Sequence, residues 1–537
     1  MSTTASGGLV RSNLVVAMGT AMSRASGLGR EAVFAWIIGQ NALADAYGGA
    51  NNSPNAVYEL LLGGVLSATL VPTFTRHHEE GDEEATNAVI TATVVALGAL
   101  TLVAVLLAPL IFRLSAIVVA DGIDPTAYRN LGTALTRIFL VQIFFYGISA
   151  LAGALLNSRR RFFAPAWSPV LANIAIIVGL LAANAQLRGD DPYGQALTDS
   201  KLRLTLGLGA TIGIALMAFA QLPALGRAGI KVRWRPNFKH PAVKKVLTMS
   251  GWTFGYAGAN IATVYLVKNL AKPGSGGQDA YTKAFTVFQL PHGLLAMSIT
   301  TTFVPDLARL VARKDRAGFV KRASLGIRLV ALLTFPASMA LIALRRPLVG
   351  FVFGWGHFSD HAALTTSRAL AGFAVGLLGF SVYLFVLRGF YAHQDTRTPF
   401  VINLFECALN VVLAIVLVGR YGVLGLGLAF GLAYVICAAW AMQVLAYKVR
   451  GFDLRGLFLV LGRMLLASVV AAEVMWFVGR VVGSNHGSGA IARLGAAGIV
   501  GLAVYVGLLR LLGVEELDDL VARFRRRPAA TSAGPPA

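Results

Sequence analysis

NLVVAMGTAMSRASGLGREAVFAWIIG, residues 13–39, is apolar at both ends and charged in the middle. The flanks NLVVAMGTA and AVFAWIIG suit hydrocarbon, and the whole stretch is long enough to cross a core of about 30 Å as a helix. Arg24, Arg30 and Glu31 sit at its centre. At that depth each ionisable group costs about 3 kcal/mol or more unless it faces water or a partner. The stretch therefore reads as a membrane helix whose charged side faces a protein interior.

Spans of the same kind recur along the chain. Of 537 residues, 56% are hydrophobic and only 13% are charged, with a mean hydropathy of +0.67. A backbone in lipid must satisfy its own hydrogen bonds, so such spans are helical. The fold class is all-α and polytopic, with about fourteen transmembrane helices by the length criterion. They centre near residues 27, 62, 101, 142, 174, 214, 257, 295, 334, 378, 409, 434, 470 and 501. MSTTASGGLVRSN lacks a basic segment followed by a cleavage site, so the first span is expected to be retained.

The net charge of +22 lies in the loops. NSRRRFFAP (157–165), the segments 226–245 and 306–322, and ARFRRRP (522–528) are densely basic, and all fall on one side of a fourteen-span layout. GQNALAD (39–45), AKPGSGGQD (271–279) and GRYG (419–422) carry little positive charge. Both termini are therefore expected in the cytoplasm. RHHEEGDEE (76–84) is acidic on the same side, but carboxylates weigh little in that rule. Charge held in short loops is a topology signal, and no nucleic-acid partner is expected.

Two landmarks recur at nearly constant spacing. VPTFTR ends at Arg76 and FVPDLAR at Arg309; RRRFFAP ends at Pro165 and QDTRTP at Pro399. The two offsets differ by a single position. That constancy predicts a duplicated six-helix unit in parallel orientation around a central cavity. The expected domains are an N-terminal lobe (1–230), a C-terminal lobe (231–450), two additional helices (451–515) and a basic cytoplasmic tail (516–537).

The intramembrane charges define the candidate site. Arg24 and Glu31, seven apart, share a helix face, while Arg30 points about a third of a turn away. Gly27 and Gly29 lie between them, placed to bend or break the helix and turn both arginines into one cavity. The alternative is a structural Arg–Glu pair with the other arginine reaching the surface. Asp45 opens the second span, and NNSPNAVYE puts Asn51, Asn52, Asn55 and Glu59 in its first half, with Pro54 interrupting the ladder. Arg137 lies in the fourth span. Lys268 and Lys283 read as interfacial anchors at span ends or as further cavity cations. A cavity collecting guanidinium groups suits an anionic cargo, because their forks bind phosphate oxygens bidentately.

Asn403, Glu406 and Asn410 share one face of the eleventh span. They suit a small hard cation such as Na⁺, a proton on Glu406, or hydrogen bonds between helices. His357, Asp360 and His361 have metal-like spacing but lie in a loop without further ligands, so no metal is expected. GLGLAFG (425–431) reads as close helix packing rather than a phosphate loop. Cys407 and Cys437 read as buried thiols. No motif for chemistry on a substrate is present, so a transporter is expected rather than an enzyme.

In order along the chain come SRASGLGRE (23–31), ADAYGGANNSPN (44–55), LSATLVPTF (66–74), LLNSRRRFFAPAWSPVLANI (155–174), QLPHGLLAMSITTTFVPDLARL (289–310) and LRGFYAHQDTRTP (387–399). This series resembles the MurJ/MviN family of lipid II flippases in the MOP exporter superfamily, over nearly the whole chain. The resemblance implies a transporter of the bacterial cytoplasmic membrane for peptidoglycan synthesis and cell shape. Its cargo would be the undecaprenyl-pyrophosphate-linked peptidoglycan precursor, carried from inner to outer leaflet by alternating access. Arg24, Arg30 and Asp45 match family positions implicated in function, and Glu31 matches an acidic one. Together with Asn55 and Arg137, read from the intramembrane pattern, Arg24, Arg30 and Asp45 make the expected substrate site, and Glu31 and Glu59 are the expected gating ion-pair residues. No cofactor is expected, with coupling to Na⁺, H⁺ or the membrane potential as the candidate energy source. The expected partners are lipid II or another polyprenyl-pyrophosphate-linked glycan, membrane lipids and cell-wall synthesis proteins. Three positions depart from the family pattern: Tyr58 and Thr286 stand where arginines are usual, and Gly63 where an acid is. The rival readings are an exporter of another polyprenyl-linked glycan or amphipathic drug, and a non-transporting scaffold for wall enzymes.

Overall fold

The computed structural model describes residues 3–60, 70–237, 241 and 258–517, with the backbone alone for 3–14 and 58–60. The described residues are helical throughout, joined by short loops, with no strand among them. In order, the elements are α1 (Thr3–Ile38), α2 (Ala42–Leu60), α3 (Val71–Glu79), α4 (Glu83–Leu106), α5 (Ala108–Ser115), α6 (Pro125–Leu140), α7 (Gln142–Ser158), α8 (Phe163–Asn184), α9 (Pro192–Thr198), α10 (Ser200–Phe219) and α11 (Leu222–Arg227). They continue with α12 (258–270 as described), α13 (Gly277–Pro291), a π-helical turn (His292–Ala296), α14 (Met297–Ala312), α15 (Arg316–Ala343), α16 (Arg345–Phe353), α17 (Asp360–Val375) and α18 (Leu377–Ala392). The last four are α19 (Arg397–Tyr421), α20 (Val423–Lys448), α21 (Leu454–Val481) and α22 (Gly487–Leu511).

Ten helical runs among the described residues are long and apolar enough to cross a membrane, or eleven when α17 and α18, bent by 45°, count as one span. These eleven contain eleven of the fourteen expected centres. The centre at 27 lies in α1, whose middle carries Arg24, Arg30 and Glu31, and those at 62 and 257 lie outside the described residues. Leu106 is 71% exposed and Val416 68%. Large aliphatic side chains turned outward on helices this apolar mark a surface made for lipid.

Short acidic residues start many of the helices. Asp82, Asp124, Asp191, Asp199, Asp315 and Asp453 each accept a hydrogen bond from a backbone N–H in the first turn that follows, satisfying donors a helix leaves open. This explains the acidic loop 76–84: Asp82 caps α4, and Glu83 and Glu84 sit at its positive end.

The chain forms two compact units. Residues 1–286 and 352–366 make the first; 287–351 and 367–537 make the second. In the first, α1, α2, α6, α8 and α10 pack around Phe34, Tyr47 and Phe139, whose rings meet at 4.8 and 5.0 Å. In the second, Phe288, Phe373, Phe380, Phe430 and Tyr434 form an aromatic core. Gly431 in GLGLAFG packs against Gly372 and Gly376, where an added Cβ would overlap backbone. α21 and α22 pack on each other, and α21 lies against α15.

The expected repeat is written in the backbone. Left-handed residues occur at Gly39 and Lys272, Gly81 and Lys314, Gly122 and Gly356, Arg160 and Gln394, and Gly189 and Gly422. Every pair keeps the spacing of the sequence landmarks, to within a single position. Five successive loops thus turn the same way in each copy, even where the left-handed residue is Lys, Arg or Gln, for which that conformation costs energy.

Candidate functional site

α1 stays helical through Gly27 and Gly29, so the helix is not broken there. Arg30 donates to the Glu31 carboxylate at 2.9 Å and to Asn173 Oδ1 on α8 at 3.2 Å. Asn173 donates in turn to the Ser23 carbonyl and the Ser26 hydroxyl. The pair is half-buried, with side-chain exposures of 31% for Arg30 and 21% for Glu31. Glu31 also lies within electrostatic reach of Lys283 and Lys268. Arg24, about 9 Å back along the helix by its rise, is half-buried and makes no ion pair with any described residue.

Asp45 is fully buried. Its Oδ2 accepts from the backbone N–H of Gly274 (2.9 Å) and Gly276 (2.8 Å), and its Oδ1 from that of Asp279 (2.8 Å). The start of α13 therefore delivers N–H donors, and the positive end of its dipole, to one carboxylate. Around this clamp the α1–α2 turn is tied to the rest of the unit. Asn41 caps α2, Gln40 donates to Thr366, and the His357 backbone N–H donates to the Trp36 carbonyl. His357 is thus part of the closure.

Lys283 is fully buried, ion-paired to Asp279 one turn earlier, and held over the rings of Phe34 and Phe358. It is therefore not an interfacial anchor. Lys268 is half-buried and donates to Asn52. Asn55 accepts from the Tyr146 hydroxyl at 2.8 Å, and Ser53 is bonded to Tyr265. The polar face of α2 is thus occupied by α7 and α12. Arg137 is exposed on the last turn of α6, with no ion pair to a described residue. The side chains of Tyr58 and Glu59, and all of Gly63, lie outside the described residues. Thr286 turns back on the Thr282 carbonyl of its own helix.

In the second unit, Asn403, Glu406 and Asn410 are all buried on one face of α19. Glu406 Oε1 and Asn410 Oδ1 have no hydrogen-bond partner among the described residues. Asn403 faces the Cys407 sulfur at 3.8 Å.

A sequence model described as "MurJ: Lipid II flippase MurJ" matches residues 34–494. The chain belongs to the MurJ family. A "Probable lipid II flippase MurJ" of Vibrio cholerae is 28% identical, covering 96% of this chain and 98% of its own length. The "Lipid II flippase MurJ" of Burkholderia cenocepacia is 27% identical, over 97% and 99%. Among solved structures, "Lipid II flippase MurJ, inward closed conformation" superposes with a TM-score of 0.75 over 95% of this chain and all of that one, at 23% identity. An inward-facing MATE transporter of the MOP superfamily follows the same fold, with a TM-score of 0.62 over 79% and 96% at 14% identity. The MurJ fold thus spans the chain, a multi-pass membrane protein.

Sequence reasoning missed Asp279, Asn173 and the burial of Lys283. One signal was present: Asp45-Ala46-Tyr47 recurs as Asp279-Ala280-Tyr281. The spacing is that of the repeat, placed at the site itself.

Proposed function

We propose that this chain carries lipid II from the inner to the outer leaflet of a bacterial cytoplasmic membrane by alternating access, with both termini in the cytoplasm. The observation that carries the reading is the pair Arg24 and Arg30 on one half-buried helix, the first without a counter-ion among the described residues. On the unbroken helix the two side chains start about 9 Å apart along the axis and about a third of a turn apart around it, so they reach one pyrophosphate only through the length of the arginine stems. An incoming diphosphate competes with Glu31 for Arg30, so Glu31 acts as the resting counter-ion that the cargo displaces. Lys268, which donates to the neutral amide of Asn52, adds cationic charge where Thr286 does not; Lys283 is spent on Asp279. The Asp45 clamp lies on the α1–α2 side, which the loop charges assign to the outer face. Its opening is the step that releases the headgroup outward.

Family membership supports this cargo, and the apolar outward faces of the helices support a prenyl tail left in lipid. Glu406 and Asn410, each with an oxygen lacking a partner among the described residues, fit a monovalent cation or a proton, and we assign coupling to that face of α19. The test is complementation of a flippase-depleted bacterium with a leaflet-specific assay of lipid II. Wild type restores growth and outer-leaflet lipid II, and Arg24→Ala with Arg30→Ala, at equal expression, restores neither. Rescue by the double variant removes the pyrophosphate grip. Growth rescue without movement of lipid II, with wall enzymes co-purifying, leaves the scaffold reading.

A further inference from the structure

A second basic site lies in the first unit, apart from Arg24 and Arg30. Where α7 meets α8 the chain turns through Arg160 in the left-handed region, φ 56°. The N–H groups of Arg160 and Arg161 close the end of α7 on the carbonyls of Asn157 and Leu156. The turn faces the end of α11, which carries Arg227. Between them is a cavity of about 370 Å³ lined by Arg160, Arg161 and Arg227 together with Val15, Phe162 and Phe163. That volume is in the range of small-molecule sites. All three arginines are exposed, and none forms an ion pair with a described residue. Three like charges around one concavity repel one another unless an anion joins them.

The second copy of the repeat shows what an internal solution looks like. Gln394 turns with φ 60° at the position of Arg160, and Asp395 stands at the position of Arg161. Asp395 accepts from the backbone N–H and hydroxyl of Thr398 and from the Lys448 ammonium. That turn supplies its own anion. In the first copy the carboxylate is replaced by a guanidinium, and no described residue supplies the neutralising charge.

The lining identifies the source. Phe163 is 63% exposed and stacks on Trp167 at 5.8 Å. Exposed aromatics beside basic residues mark the level of lipid headgroups. Basic pockets at that level on a membrane protein hold anionic headgroups. We propose that this pocket binds the phosphodiester headgroup of an anionic phospholipid, with its glycerol and upper acyl carbons against Val15, Phe162 and Phe163.

The test uses the full-length chain in nanodiscs of phosphatidylcholine containing brominated phosphatidylglycerol or brominated phosphatidylcholine. The readout is the quenching of tryptophan fluorescence that is lost in Trp167→Phe. Brominated phosphatidylglycerol is expected to quench at a far lower mole fraction than brominated phosphatidylcholine. Each arginine contributes about fivefold to that preference. Arg160→Gln, Arg161→Gln and Arg227→Gln together abolish it, while Arg313→Gln with Lys314→Gln, both exposed and in the second unit, leaves it intact. If the triple variant is misfolded by circular dichroism, Arg161→Asp, which installs the charge of the second copy, is expected to weaken the preference at least about fivefold. An unchanged preference in a folded variant overturns the proposal. So does displacement by inorganic phosphate, which makes it a free-anion site, or by lipid II alone, which makes it part of the cargo path.

Discussion

Asp45 and Asp279 occupy the same position in the two copies of the repeat and meet directly: the Asp279 backbone N–H donates to Asp45 Oδ1 at 2.8 Å. The two are not used alike. Asp45 takes three backbone donors from 274–279, whereas the Asp279 side chain takes Lys283. Lys283 itself stands where the first copy has Gly49. A duplicated helix start has become an asymmetric lock, a carboxylate on one side and an ion pair on the other.

Asp45→Asn is expected to weaken that lock. One of the two oxygens becomes an NH₂ facing backbone donors, and a charge-assisted bond of about 1.5–3 kcal/mol is lost. Thermal unfolding in detergent should fall by several degrees, and complementation should fail although the protein reaches the membrane. Unchanged unfolding would mean that the three hydrogen bonds carry no net stability.

Lys283→Met should be the more damaging single change in the same region. It leaves Asp279 buried without its partner, at a cost of about 3–5 kcal/mol. Adding Asp279→Asn should recover part of the loss, because the stranded charge is then gone. The double-mutant cycle on unfolding free energy checks this: additivity would show that the two groups do not interact.

The membrane spans were readable because hydrocarbon thickness imposes its length on each of them, and Pro72/Pro305 and Pro165/Pro399 already carried the repeat spacing. What stayed hidden depends on chain closure. Lys283 follows a loop and looks like an anchor; only the folding of 271–279 over Asp45 makes that span end an interior. Gly27 and Gly29 suggest a bend that turns Arg24 and Arg30 into one cavity, with a structural Arg–Glu pair as the alternative; α1 runs helical through both glycines. Glu31 pairs with adjacent Arg30, which Asn173 steadies from α8, far along the chain. No local periodicity announces that third partner.

Asn173→Ala is accordingly expected to loosen Arg30 without removing charge. It deletes one acceptor for the guanidinium and two bonds onto α1, each worth about 1 kcal/mol. Transport should decline less than in Arg30→Ala, and Glu31→Gln should partly offset the decline if Glu31 competes with the cargo. The check is the rate of lipid II appearance in the outer leaflet at matched expression.

Asp395 offers a pH-dependent test outside the membrane. Burial alone would raise its carboxyl, but hydrogen bonds from Lys448 and from the backbone and hydroxyl of Thr398 outweigh it and hold the group at about 2. A carboxyl held below its ordinary value of 3.8 stabilises the fold fully above that value and loses the contribution as pH falls toward about 2. Asp395→Asn should therefore lower stability by about 1 kcal/mol at neutral pH, the scale of a helix cap plus a partly exposed pair. The gap from wild type should close between pH 4 and pH 2. A gap constant through that window would assign the effect to packing.

Glu406→Gln separates coupling from scaffolding on α19. The side chain is buried, one of its oxygens has no hydrogen-bond partner among the described residues, and its neighbour Asn410 presents a second such oxygen. A carboxamide keeps the shape and the acceptor, but it loses the charge that holds a cation and the site that carries a proton. If Glu406 serves only to join helices, the substitution removes a buried ionisable group at little cost, and transport should keep its dependence on Na⁺ and on pH. If it is the coupling site, the protein should remain folded while the outer-leaflet rate loses one of those dependences. Loss of the Na⁺ dependence identifies the bound ion, and loss of the pH dependence identifies the proton. A variant with wild-type response to both would leave α19 as packing and move coupling elsewhere.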